Sequence, residues 1–182
     1  MTAVNIRLDA LLETAGLAAL GPRPRPGRQS IPDLDRELAP IFLSAKQSAQ
    51  AEALIRALVL LWHDHLDAAH SLAQDVATVA GSFIHGIVHR REPDYGNAKY
   101  WFHRVGQHAA FEAIGRRATA IPASPAERVL LERFNPNQTW DPFAFIDCCQ
   151  EYYKSDSAQE LFLRQIQKAE FFALLEHLVA LL

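Results

Sequence analysis

Seven of the chain's eight histidines fall between residues 63 and 108: His63, His65, His70, His85, His89, His103 and His108. Neutral imidazole binds transition metals and changes charge near neutral pH, so such crowding points to metal or proton chemistry. His85 and His89 are four apart, which places both on one face of a helix. Asp67 and His70 are three apart and would add a carboxylate and an imidazole from a neighbouring helix. Helical bundles build metal sites from facing side chains of this kind. A divalent metal with an open position there would lower the pKa of bound water and supply a hydrolytic nucleophile. His70, His85, His89 and Asp67 are therefore the candidate metal ligands. Between His85 and His89 stand Gly86, Ile87 and Val88, so the pair carries no HExxH motif and no adjacent glutamate base. The competing reading needs no cofactor. In it each buried neutral histidine is satisfied by one backbone carbonyl and one side-chain partner.

Arg90 and Arg91 follow directly. Two guanidinium forks in a groove could hold a carboxylate or phosphate, which makes His70, His85, His89, Arg90 and Arg91 the candidate ligand-binding set. Alternatively the arginines form an internal ion-pair network with Glu92, Asp94 or Asp67, since a buried arginine needs a carboxylate neighbour. Tyr95, Tyr100, Trp101 and Phe102 read as packing residues. Asn97 reads as a cap or a cross-turn bond. The two cysteines, Cys148 and Cys149, are adjacent and not expected to bridge each other; they read as small core residues. Nucleophile elbow, phosphate-cradling loop, dinucleotide fingerprint and cysteine-zinc pattern are all missing, which removes several common enzyme classes.

The elements that must position these residues read as helices. Leu8, Leu11, Leu12 and Ala15 share one helical face, with Gly16 near the end. GPRPRPGRQSIP then breaks any regular element and reads as a surface arm or connector, whose arginines could recruit an anionic partner. Ser44-x-x-Gln47 is expected to open the main helical run, Ser82 to cap a further helix, and Gly106 to stop the one after it. Ser124-Pro125-Ala126-Glu127, Asp141-Pro142 and Ser157-x-x-Glu160 are further start signals. No segment alternates with period two, so no sheet is expected. The expected division is an N-terminal helix and arm over residues 1–43 and a helical domain over 44–182, together one compact unit.

At 182 residues the chain can bury a real core, and its net charge of −3 offers no basic excess for nucleic acid. Asp9 and Glu13 interrupt the N-terminal apolar positions, arguing against a signal peptide. Glu176 and His177 interrupt the last apolar stretch, which is too short for a bilayer. A cytoplasmic protein without membrane or nucleic-acid partners is expected. Phe171, Phe172, Leu174, Leu175, Leu178, Val179, Leu181 and Leu182 offer more apolar surface than one face can easily use, which suggests a homodimer through this helix or through the arm; burial in the domain centre is the alternative.

Residues 66–69 align with 95–98 at an offset of 29, and Ala57 then matches Gly86 and Leu58 matches Ile87. Small and bulky residues recurring this way predict two αα-hairpins, over 50–77 and 82–106, with Ala69 and Ala98 at close helix crossings. Gly86, Tyr95, Ala98 and Phe102 stand where the section resembles a tetratricopeptide-type hairpin, which would put Phe83, Ile87, Arg90 and Arg91 on a groove face. The period is shorter than the usual repeat of about 34 residues, and only two copies are present. The run GSFIHGIVHRREPDYGNAKYWF, with LWHDHLDAAHSLAQ before it and WDPFAFIDCCQ after it, resembles an uncharacterised family of small microbial proteins. That resemblance implies a self-contained domain. The fold expected is an all-α array of seven or eight helices in antiparallel hairpins. The function expected is a helical-hairpin binding or interaction protein taking a protein or small anionic ligand. The alternative is a metal-dependent hydrolase using the histidine cluster.

Overall fold

Side chains that satisfy free backbone donors decide where the helices begin. The structure, a computed structural model, describes residues 3–45 and 48–180. Among these the chain forms ten α-helices, one short 3-10 turn and no strand, the all-α class expected but with more helices. They are α1 (Ala3–Leu12), α2 (Ile31–Ala45), α3 (Ala49–Trp62), α4 (Leu66–Gln74), α5 (Val79–Arg91), α6 (Tyr95–Val105), α7 (Ala110–Ala120), α8 (Pro125–Phe134), α9 (Pro142–Tyr152) and α10 (Ala158–Ala180). Ser124 and Glu127 close a reciprocal capping box on α8, and Asp141 accepts from Phe143 and Ala144 at the start of α9. Gly106 ends α6 at φ 60°, a conformation glycine takes without strain.

Two start signals lie elsewhere than expected. Ser48, not Ser44, caps α3, and Thr78, not Ser82, caps α5. Ser44 sits inside α2 and donates to the Ile41 carbonyl at 2.7 Å; Ser82 sits inside α5 and donates to the Thr78 carbonyl at 3.1 Å. Gln47, the other half of the expected box on Ser44, lies outside the described residues. In both cases the hydroxyl that caps lies four residues along the chain from the expected one. Helix α2 was itself unexpected, because nearly all of it falls within the arm expected over residues 1–43. Pro32 falls in the first turn, where no backbone donor is needed, and the helix persists through Pro40 by burying Leu34, Leu38 and Ile41. The division expected at residue 43 therefore falls inside a helix. The N-terminal Leu8, Leu11, Leu12, Ala18 and Leu20 belong to the same core as the rest.

The two hairpins form as the repeat predicts, α3 with α4 and α5 with α6, and the residues flanking the centre of each turn match closely in backbone angle. His63 (φ −86°, ψ 19°) corresponds to Glu92 (φ −84°, ψ 14°), and His65 (φ −95°, ψ 65°) to Asp94 (φ −98°, ψ 70°). The same bond closes each turn: His65 N–H donates to Leu60 O, and Asp94 N–H to His89 O, both at 2.9 Å. Ala69 and Ala98 are fully buried.

Helices α5 and α10 occupy the middle of the molecule. Residues 80–91 of α5 are all buried, and α10 buries Phe162, Leu163, Ile166, Phe171, Leu174, Leu175 and Leu178. The apolar excess of the last helix is thus used inside the chain, which removes that motive for a dimer; Leu181 and Leu182 lie outside the described residues. No helix among the described residues is long and apolar enough to cross a membrane.

Candidate metal centre

A helix buried on every side must find partners for each polar group it carries. Helix α5 carries Ser82, His85, His89, Arg90 and Arg91 into the interior, and the five divide by direction. Arg90 and Arg91 leave for the core. Arg90 pairs with Glu170 of α10 and donates to Gln167 at 3.3 Å. Arg91 donates to Asp64 at 2.6 Å and to the carbonyls of Leu61, Ala19 and Gly21. Burial draws the pKa of Arg91 down to about 10, and Asp64 opposes that shift. Both guanidinium groups are completely buried against carboxylates, so neither is free to bind an anion. The ion-pair alternative describes them better than the ligand-binding one, with Glu170 and Asp64 in place of the expected Glu92, Asp94 or Asp67. Phe83 and Ile87 are buried as well, so the supposed groove face is filled.

Asp64 is the hub of this network. It sits in the α3–α4 turn at φ 63°, a left-handed conformation that aspartate tolerates better than most residues. Arg25 of the proline-rich arm donates to its carboxylate twice, from the backbone N–H and from Nε, both at 2.9 Å. Arg28 donates to its carbonyl at 2.8 Å. Burial resists ionisation of Asp64, but Arg91 and the hydrogen bonds from Arg25 outweigh it and hold the pKa below the usual carboxylate range. The arm is therefore pinned through Arg25 and Arg28, while most of its residues stay exposed to solvent.

His85 and His89 leave α5 in the other direction, toward α4 and α6. There His70 of α4 meets them. Ligand-capable atoms of His70, His85 and His89 all lie within 4.8 Å of one another. The His70 ring stands edge-on to both others at 4.9 Å, while His85 and His89 stack at 5.9 Å. Trp101 of α6 covers His85 face to face at 4.1 Å, and Arg104 lies over Trp101. His85 is 3% exposed and His89 is 7% exposed, yet among the described residues the His85 ring makes no hydrogen bond. Buried Nδ1 of His89 has no aligned partner either, although a Glu92 oxygen stands 2.9 Å away. Asn97 meets the other nitrogen of that ring at 3.2 Å. Burial, with His70, His89 and Arg104 nearby, pushes the His85 pKa down to about 4, so its ring is neutral and keeps a lone pair at physiological pH.

The remaining histidines separate from the cluster. His63 bonds the Leu11 carbonyl and His65 the Gln29 carbonyl, each at 2.8 Å. His108 accepts from Ala110 N–H at the start of α7 and packs on His177. His103 is exposed beside Phe143. Asp67 does not join the triad. It is exposed in the first turn of α4 and lines a cleft of about 460 Å³ together with Glu92, His65, Arg28 and Pro24. Glu92, read from the sequence only as a partner for arginine, faces His89 and His70 instead; its place three residues after His89 was the available signal. The thiols of Cys148 and Cys149 are pushed up by burial to about 11 and about 12, which leaves them protonated and unreactive.

No family model, curated protein or solved structure matches the chain.

Proposed function

We propose that the protein is a metal-dependent hydrolase whose divalent ion is held by His70, His85 and His89. One observation carries the reading: three imidazoles from two successive hairpins converge, and buried Nδ1 of His89 has no aligned hydrogen-bond partner among the described residues. A buried polar group left unpaired costs about 1–3 kcal/mol, which a coordinated ion would offset. Three nitrogen donors suit zinc, nickel or iron better than magnesium or calcium, which take oxygen ligands. Three protein nitrogens would leave such an ion room for an oxygen donor, and a water admitted there would have its pKa lowered toward neutrality, which gives hydrolysis. The interaction-module reading has less support, because the face expected to form its groove is buried.

Elemental analysis of the purified full chain should find about one equivalent of a transition metal. In chelator-stripped protein, zinc added at a hundredfold excess over its Kd should stabilise the fold by about 2.7 kcal/mol, read as a rise in Tm. The pair His85→Gln and His89→Gln should lose both effects. The loaded protein should hydrolyse members of a panel of carboxylic and phosphoric esters in a chelator-sensitive way. Absence of bound metal, with a Tm unmoved by zinc, nickel or manganese, would falsify the site.

A further inference from the structure

Glu92 stands beside the triad in a way that a hydrogen bond does not explain. Its two carboxylate oxygens lie 2.9 Å from His89 Nδ1 and 3.8 Å from His70 Nδ1, and the shorter approach lacks hydrogen-bond alignment. Two donors on one ion, each about 2.1 Å from it at angles of about 90–110°, lie about 3.0–3.5 Å apart. The separations between Glu92 and the two rings bracket that range. Neither falls inside it, and a shift of a few tenths of an ångström by the carboxylate would bring both into it.

Asn97 fits the same arrangement. An amide's oxygen and nitrogen exchange places by a half-turn. With Oδ1 toward the ring, Asn97 would accept from Nε2–H of His89 and leave the Nδ1 lone pair facing Glu92. Glu92 is half-buried, and its other side borders the cleft of about 460 Å³. A carboxylate placed between an ion and a cleft can hold the ion's fourth position at rest and yield it to an oxygen donor entering from the cleft.

Resting on the reading of the triad as a metal site, we infer that Glu92 is the fourth metal ligand, completing a His70–His85–His89–Glu92 donor set that opens only when this carboxylate moves toward the cleft. The site is then closed in the resting protein, and access to the ion is governed by one side chain.

Cobalt(II) is the probe, because its visible absorption is strong when four-coordinate and weak when water raises the coordination number. The full-length wild-type protein loaded with Co²⁺ should show the strong bands. Glu92→Gln should weaken Co²⁺ affinity tenfold or more and move the visible bands, since water or the amide oxygen then takes the place of the carboxylate. Glu92→Asp, which keeps a carboxylate one methylene shorter, should fall between them. The infrared difference spectrum of the wild type on zinc addition gives the same answer without a variant: one carboxylate's stretching bands should shift. Equal affinity and spectrum in wild type and Glu92→Gln, or an infrared difference without a carboxylate change, would overturn the role of Glu92 while leaving the triad intact. A wild type that takes up no Co²⁺ would overturn the triad itself, and the role of Glu92 with it.

Discussion

Asp64 faces two guanidinium groups from opposite directions, one from the arm and one from α5, with all three charges withdrawn from water or nearly so. Removing one member of such a buried group leaves the others uncompensated, a larger loss than the net worth of the pair. Asp64→Asn should therefore cost about 3–5 kcal/mol, measured as a fall in the urea midpoint, and should loosen the arm enough for protease to cut near Arg25. At this scale the sequence was partly legible. The i, i+4 spacing of His85 and His89 placed them correctly on one face, and the hairpin repeat brought His70 opposite them. The destinations of Arg90 and Arg91 were not legible, because Asp64 and Glu170 lie 27 and 80 residues from their partners and nothing local marks them. Asp67 had metal-ligand spacing to His70, but the helix turns its carboxylate to the cleft.

Among the elements, the two hairpins share a turn but differ in how their helices fill the contact. Where the second carries Gly86 opposite Phe102, the first carries Ala57 and Ala73 at the equivalent positions. A Cβ on Gly86 would lie 2.6 Å from the Phe102 ring. Gly86→Ala should accordingly cost about 1–3 kcal/mol by overpacking. In a Phe102→Ala background, which recreates the small-on-small pairing of the first hairpin, the same change should cost much less. Denaturation of the four proteins in that cycle measures the coupling, and equal costs in the two backgrounds would show that the helices do not meet there. The hairpins were visible beforehand because their small residues recur at a constant offset. Helix α2 was not, since its apolar residues gain their value only from α1 and α3 beside it.

For the molecule as a whole, several buried histidines tie stability to acidity. Burial, with His177 beside it, pushes the His108 pKa down to about 4. The unfolded chain takes up that proton near pH 6.5 and the folded chain does not, so the unfolded state binds more protons through this window. Stability should thus be complete above pH 6.5 and decline as pH falls toward 4, and in metal-free protein His85 adds to the decline. His108→Gln should flatten the slope of the urea midpoint between pH 7 and 5; an unchanged slope would assign the effect elsewhere.

The central place of α10 has a consequence for the order in which the chain can fold. Glu170 neutralises Arg90, Gln167 donates to the carbonyls of Ala18 and Ala19, and Arg164 donates to those of Leu17 and Ala18. The segment that matches the charge at the heart of the second hairpin is thus made after the nine other helices of the described residues. As the chain leaves the ribosome, Arg90 has no buried carboxylate to meet until residue 170 has emerged, and α5 cannot be enclosed before then. A nascent chain stopped before residue 158 should therefore remain sensitive to protease along most of its length. Enclosure of α5 then waits on α10, whose partners were made as much as 155 residues earlier, as the contact from Lys168 to Glu13 requires.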